Sequence, residues 1–177
     1  MRRAKGKHLE KRGGNILPAL CSLIGTLLIL AVIIMLLPVT VPRLLGFKVY
    51  NVVSGSMTPA IPQGSMVLVK PVEWNSVNPG DVIAFEREGT VVAHRVVAVQ
   101  REEESFITKG DANELEDFNP VPFEELIGRV ERHVPVLGEV ETQLSTLQGK
   151  LYLLLLVVSG LLFRWLAGKI RTIRNRG

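Results

Sequence analysis

Residues 16–37 read ILPALCSLIGTLLILAVIIMLL, 22 consecutive residues without a charge. About 20 helical residues cross the roughly 30 Å hydrocarbon core of a bilayer, so this stretch is long enough to span one. A cleaved leader is the competing reading. Its apolar run would be only roughly 7–15 residues, and Pro38-Val39-Thr40-Val41-Pro42 offers no small-x-small cleavage pattern. The stretch therefore reads as an uncleaved transmembrane anchor behind a basic tail at 1–15. A second apolar run, LYLLLLVVSGLLFRWLA, begins at Leu151. It carries Arg164 near its end, where the guanidinium can snorkel to the headgroups beside an interfacial Trp165. Residues 151–168 are thus expected to form a second span, followed by a basic tail at 169–177.

Charge orients these spans. The chain of 177 residues has a net charge of +4, which alone would admit a nucleic-acid partner. Residues 1–14, however, hold six basic side chains against Glu10, and residues 164–177 hold five against none, leaving 15–163 with a net −6. Basic residues mark cytoplasmic flanks. Both termini are then cytoplasmic, residues 38–150 are external, and nucleic acid is not an expected partner. A single cysteine, Cys21, excludes an internal disulfide and any multi-cysteine zinc site, and reads as a small packing residue. No metal cluster or phosphate loop is apparent, so no cofactor is implied.

The external segment reads as short strands broken by Gly and Pro turns, at 47–53, 65–70, 81–85, 90–100, 105–108 and 127–134. Such punctuation points to an antiparallel sheet or small barrel over residues 38–138, with 139–150 as a polar link into the second span.

Two features of this segment can carry chemistry. Ser54-Gly55-Ser56-Met57-Thr58-Pro59 follows a strand directly, and a serine on such a turn projects its hydroxyl away from the sheet. Ser-Gly-Ser is also ordinary turn chemistry. Met57, Pro59, Ile61 and Pro62 have two readings, as an interfacial patch or as packing within the domain. His94 shares a strand face with Val92, Val96 and Ala98, so its ring needs a partner whether its role is structural or acid–base. An imidazole, with an ordinary pKa of about 6.5, suits proton transfer near neutral pH. His133 alternates with Arg129 and Glu131 and reads as a solvated strand face, and His8 lies in the basic tail. The acidic loop from Lys109 to Asp117 lacks the EF-hand spacing, which leaves surface, or a carboxylate that orients His94.

Taken together, Ser-Gly-Ser-Met-x-Pro after the first span, Gly-Asp-Val-Ile-Ala-Phe (80–85), Ala-His-Arg-Val-Val (93–97), Lys-Gly-Asp-Ala-Asn (109–113) with a later Asp, and the closing segment from Ile127 to Gly138 resemble type I signal peptidase. The resemblance covers about residues 16–138, with its motifs in order. Bacterial housekeeping members of that family have a lysine where this chain has His94. The histidine form resembles the endoplasmic-reticulum, archaeal and sporulating Gram-positive branch, and Lys70 does not match the lysine position.

The resemblance implies a coiled all-β peptidase domain flanked by two transmembrane helices. It assigns Ser56 as nucleophile, His94 as general base, and Asp117 and Asp111 as two further catalytic acids, unranked. Ser54, with the Ser56 backbone N–H, would form the oxyanion hole. The implied activity is a serine endopeptidase cleaving signal peptides after small residues (A-x-A). Its implied partners are secretory precursors, the lipid bilayer and the translocation machinery, at the cell membrane in preference to the endoplasmic reticulum. The rival from another class is a non-catalytic membrane adaptor that keeps the same fold. The soluble self-cleaving repressors share the serine-turn logic but lack membrane spans.

Overall fold

In a computed structural model, residues 16–174 are described; the basic tail 1–15, with His8, and residues 175–177, with Arg176, lie outside the described residues. The described residues divide into a helical unit (16–35 and 151–174) and a second unit, 36–150.

In the helical unit, α1 (Ile16–Leu44) and α3 (Leu147–Arg174) are each long and apolar enough to cross a membrane, and most of their apolar side chains are exposed, as in a membrane protein. They pack through glycine. A Cβ on Gly25 would lie 2.5 Å from the carbonyl oxygen of Gly160, and one on Gly160 would lie 3.0 Å from that of Gly25. Small residues let helix backbones approach where no hydrophobic force holds them together. Cys21 is buried on the Gly25 face of α1. Arg164 donates from Nη1 to Thr26 Oγ1 (3.2 Å), a bond between the two helices. α1 continues past residue 37 through Pro38 and Pro42 to Leu44, with Thr40 Oγ1 donating to the Leu36 carbonyl (2.9 Å).

The second unit is built on one seven-stranded antiparallel sheet. Its strands are β1 (Lys48–Asn51), β2 (Met66–Lys70), β3 (Val82–Arg87), β4 (Thr90–Gln100), β5 (Ser105–Lys109), β6 (Val121–Pro122) and β7 (Leu126–Val134), in spatial order β1-β2-β7-β3-β4-β5-β6. Six of the seven lie where the β-branched and aromatic runs indicate. The seventh, β6, is a two-residue strand containing a proline, too short to leave a pattern. The β3–β4 turn is the two-residue Glu88-Gly89, both at positive φ, the conformation whose twist suits a tight hairpin. Register shifts at Leu68/Val69, Ala84/Phe85 and Val96/Ala98 bend the sheet.

Both faces of the sheet are covered. Ile83 and Phe85 join Val77, Val96, Phe106 and Val121 in one buried cluster, while Ala84 between them joins Met57, Ile61, Val67 and Val69 in the other. Met57 and Ile61 are therefore core residues rather than interfacial ones. His133 is exposed on β7, and Lys70 is the exposed end of β2.

Residues 139–145, read as a polar link, form most of α2 (Leu137–Ser145), which packs on β1 and β2. Nine residues make a marginal helix in isolation, so contacts with the sheet hold it.

Phe106 is fully buried and its ring lies 4.7 Å from that of Phe123, which stacks on Trp74 at 4.4 Å. Phe106→Ala should cost about 3–5 kcal/mol. Denaturation in detergent, followed by Trp74 fluorescence, measures it; a change below about 1 kcal/mol would contradict this account of the core.

Candidate active site

Ser56 sits on residues 52–65, the long excursion between β1 and β2. Its base is closed by Val52 N–H donating to the Ser65 carbonyl (2.9 Å) and Gly64 N–H to the Val52 carbonyl (2.8 Å). Burial of Met57 and Ile61 fixes the turn to the sheet, and the Thr58–Pro59 bond is cis. Ser56 itself stays partly exposed. Its Oγ lies 3.2 Å from Ser54 Oγ, so the two serines of the motif are in mutual hydrogen-bond reach.

His94 and Thr108 are diagonal neighbours on one face, since Val96, two residues beyond His94, pairs with Thr108 on β5. His94 is 9% exposed and Thr108 fully buried. The imidazole meets the Phe85 ring edge-to-face at 6.3 Å, inside the first apolar cluster. A ring in that position needs a polar partner. Asp117 supplies it: Oδ2 accepts from His94 Nδ1 and from Thr108 Oγ1, each at 2.6 Å. The Asp117 N–H in turn donates to the Thr108 carbonyl (2.8 Å). A carboxylate only accepts, so Nδ1 is the donor, and in the neutral ring Nε2 then carries the lone pair.

Asp111 takes a different position. Its two oxygens accept from Arg95 Nε (2.8 Å) and Nη2 (2.6 Å), a bidentate pair, while Arg95 Nη1 donates to the Gly80 carbonyl (2.8 Å). The hydrogen bonds to Asp111 raise the Arg95 guanidinium further above its ordinary value. This pair secures the loop that reaches the serine. Ala112 N–H donates to the Ser56 carbonyl (2.8 Å), and a Cβ on Gly110 would lie 2.7 Å from that same oxygen, so only glycine fits. Of the two aspartates left unranked by the sequence, Asp117 contacts the imidazole and Asp111 does not.

The structure thus joins Ser54 to Ser56, His94 to Asp117, and the Asp111 loop to the Ser56 backbone. Among the described residues, no hydrogen bond links Ser56 directly to His94. Thr108, Arg95 and Gly110 were not singled out from sequence, although Arg95 is next to His94 and Thr108 shares its strand face. A cavity of about 260 Å³ opens beside the serine turn, lined mainly by apolar groups including Val52, Met57, Ala84 and Val91, with Ser54 and Ser56 on its wall. A hydroxyl at an apolar cavity, with a carboxylate-oriented imidazole on β4, has the parts of a nucleophilic acyl-transfer site.

Residues 24–107 match the family described as signal peptidase, peptidase S26. Ser56 and His94 fall inside that segment, and Asp111 and Asp117 beyond it. The chain is 38% identical over 84 residues to signal peptidase I W of Bacillus subtilis (strain 168), covering 45% of this chain and 44% of that protein. It is 30% identical over 101 residues to the signal peptidase complex catalytic subunit SEC11C of Homo sapiens, covering 50% and 53%. The chain spans about half the length of the curated relatives it matches. Residues 24–107 of this chain, which also has a seven-stranded antiparallel sheet and two long apolar helices, thus match the signal peptidase family S26, and the chain's similarity is to these two signal peptidases.

Proposed function

We propose that this chain is a membrane-bound serine endopeptidase that removes N-terminal signal peptides from exported proteins, cutting after small residues in an A-x-A pattern. The observation that carries this reading is the His94–Asp117–Thr108 chain, together with a serine hydroxyl on a turn tied to the same loop. The relatives' names as signal peptidases supply the reaction class.

Ser56 is the nucleophile. Its Oγ attacks the scissile carbonyl carbon while His94 Nε2 takes its proton, and Asp117 stabilises the imidazolium. Hydrogen bonds of this kind are often long without substrate and tighten once it binds, so the Ser56–His94 contact closes in the loaded enzyme. The Ser56 N–H and the Ser54 hydroxyl receive the oxyanion. His94 protonates the departing amine of the mature protein. Water then hydrolyses the acyl-enzyme with His94 again as base. Asp111 supports the loop through Arg95 rather than acting on the imidazole. Substrate lies extended along a strand edge, held by main-chain hydrogen bonds. The cavity of about 260 Å³ is lined mainly by apolar groups, which suits apolar side chains.

The spans at 16–37 and 151–168, with their basic flanks, orient the peptidase domain outward, both termini in the cytoplasm. Eighteen residues lie between Leu37 and Ser56, so the site stays near the membrane, where precursors leave the translocation machinery. The cell membrane is favoured over the endoplasmic reticulum.

Membranes containing the protein, incubated with a panel of precursors, should release mature chains whose new N-termini follow a small residue. Ser56→Ala and His94→Ala should each reduce cleavage by at least about 10³-fold without loss of protein. Cleavage retained in Ser56→Ala would remove that serine from the mechanism. Folded, membrane-inserted wild-type protein that resists a serine-directed acylating probe and cuts no precursor would favour the adaptor.

The two aspartates separate by kinetics. Asp117→Asn should lower kcat by about 10²–10⁴-fold, as loss of an orienting carboxylate does. Asp111→Asn and Arg95→Ala should lower it by about tenfold or less and speed hydrogen exchange at Ala112 N–H, because a half-exposed ion pair contributes only about 1 kcal/mol. Equal losses in Asp111→Asn and Asp117→Asn would contradict this division.

A further inference from the structure

α2 has no part in the chemistry proposed above, yet its polar contacts with the sheet converge on the two feet of the serine turn. Asn51, the last residue of β1, donates from Nδ2 to Glu141 Oε2 and to Thr142 Oγ1 (3.0 Å). The Thr142 hydroxyl proton is already donated to the Gly138 carbonyl (2.9 Å), so that oxygen can only accept from Asn51. Glu141 Oε1 accepts from Arg43 Nη2 (3.3 Å), near the end of α1. At the other foot, Gly138 N–H donates to the Gly64 carbonyl (3.1 Å), and a Cβ on Gly138 would lie 2.6 Å from the Ser65 carbonyl oxygen.

Asn51 also lines the cavity beside Ser54 and Ser56. Its Oδ1 is buried without a partner. Both of its acceptors lie on the Nδ2 side, and rotating the amide would turn Oδ1 onto a carboxylate. The charge on Glu141 therefore dictates the orientation of Asn51.

We infer that Glu141 is a positioning residue for the serine turn, acting through the Asn51 amide on the foot of the turn and the wall of the cavity. The inference rests on the peptidase reading above. Neither residue touches the scissile bond, so the effect falls on kcat and on side-chain selectivity at the cavity.

The test uses the full chain in detergent micelles, cleaving a precursor peptide, with thermal melting and the side-chain amide signals of Asn51 recorded in parallel. Glu141→Ala should lower kcat about tenfold, relax the preference for small residues and abolish protection of the Asn51 side-chain amide. Asn51→Asp, which faces two carboxylates together, should lower kcat as much. The exchange Asn51→Asp with Glu141→Gln reverses donor and acceptor, and should return kcat to within about threefold of wild type. Unchanged kcat and selectivity in folded Glu141→Ala would overturn the inference. So would a double variant no more active than Asn51→Asp. A wild-type chain that protects the Asn51 amide but cleaves nothing would count against the peptidase reading, and with it the positioning role.

Discussion

An imidazole on an apolar strand face needs a polar partner, and in this fold most of the site is arranged around the group that supplies it. His94 stands among Phe85 and Val96, and Asp117 is its hydrogen-bond acceptor. For Asp117 to reach it, the loop after β5 must fold back over the sheet, and Thr108 anchors the return through both its hydroxyl and its carbonyl. The same fold-back brings Ala112 to the Ser56 carbonyl. One buried polar group thus fixes the loop, and the loop in turn holds the turn that carries the serine.

What the sequence discloses follows from how local each signal is. The long apolar helix from Ile16 is legible because 22 uncharged residues have few other uses. Strands such as β4 declare themselves through β-branched runs, and the serine and histidine through motifs a few residues long. The role of each aspartate is not local. Asp111 and Asp117 lie six residues apart on one acidic loop, and only the fold-back decides which carboxylate meets His94 and which meets Arg95. Thr108 is ordinary in sequence and becomes a partner through β4–β5 register. α2 reads as a polar link because it is only nine residues long and mostly polar over 139–145, with Leu137, Val140 and Leu144 alone marking an apolar face; Asn51, Gly64 and the packing on β1 and β2 hold it as a helix.

In the helical unit the same contrast recurs. Apolar runs announce both helices, but their meeting at Gly25 and Gly160 depends on which faces are small, and Arg164 finds Thr26 only because the helices approach there. The net +4 is likewise a sum over unlike parts, with basic ends and an acidic middle.

The sheet order bears on how the molecule is made. β7, the last strand, lies between β2 and β3, so two halves of the sheet stay separate until residues 126–134 arrive. Until then the edges of β2 and β3 that will receive β7 are open. Pairings this distant in the chain are slow to form, and unpaired edges are exposed to association meanwhile. Synthesis from the N-terminus therefore delivers the serine turn and His94 well before the strand that completes their scaffold, and the site matures only when nearly the whole domain has emerged.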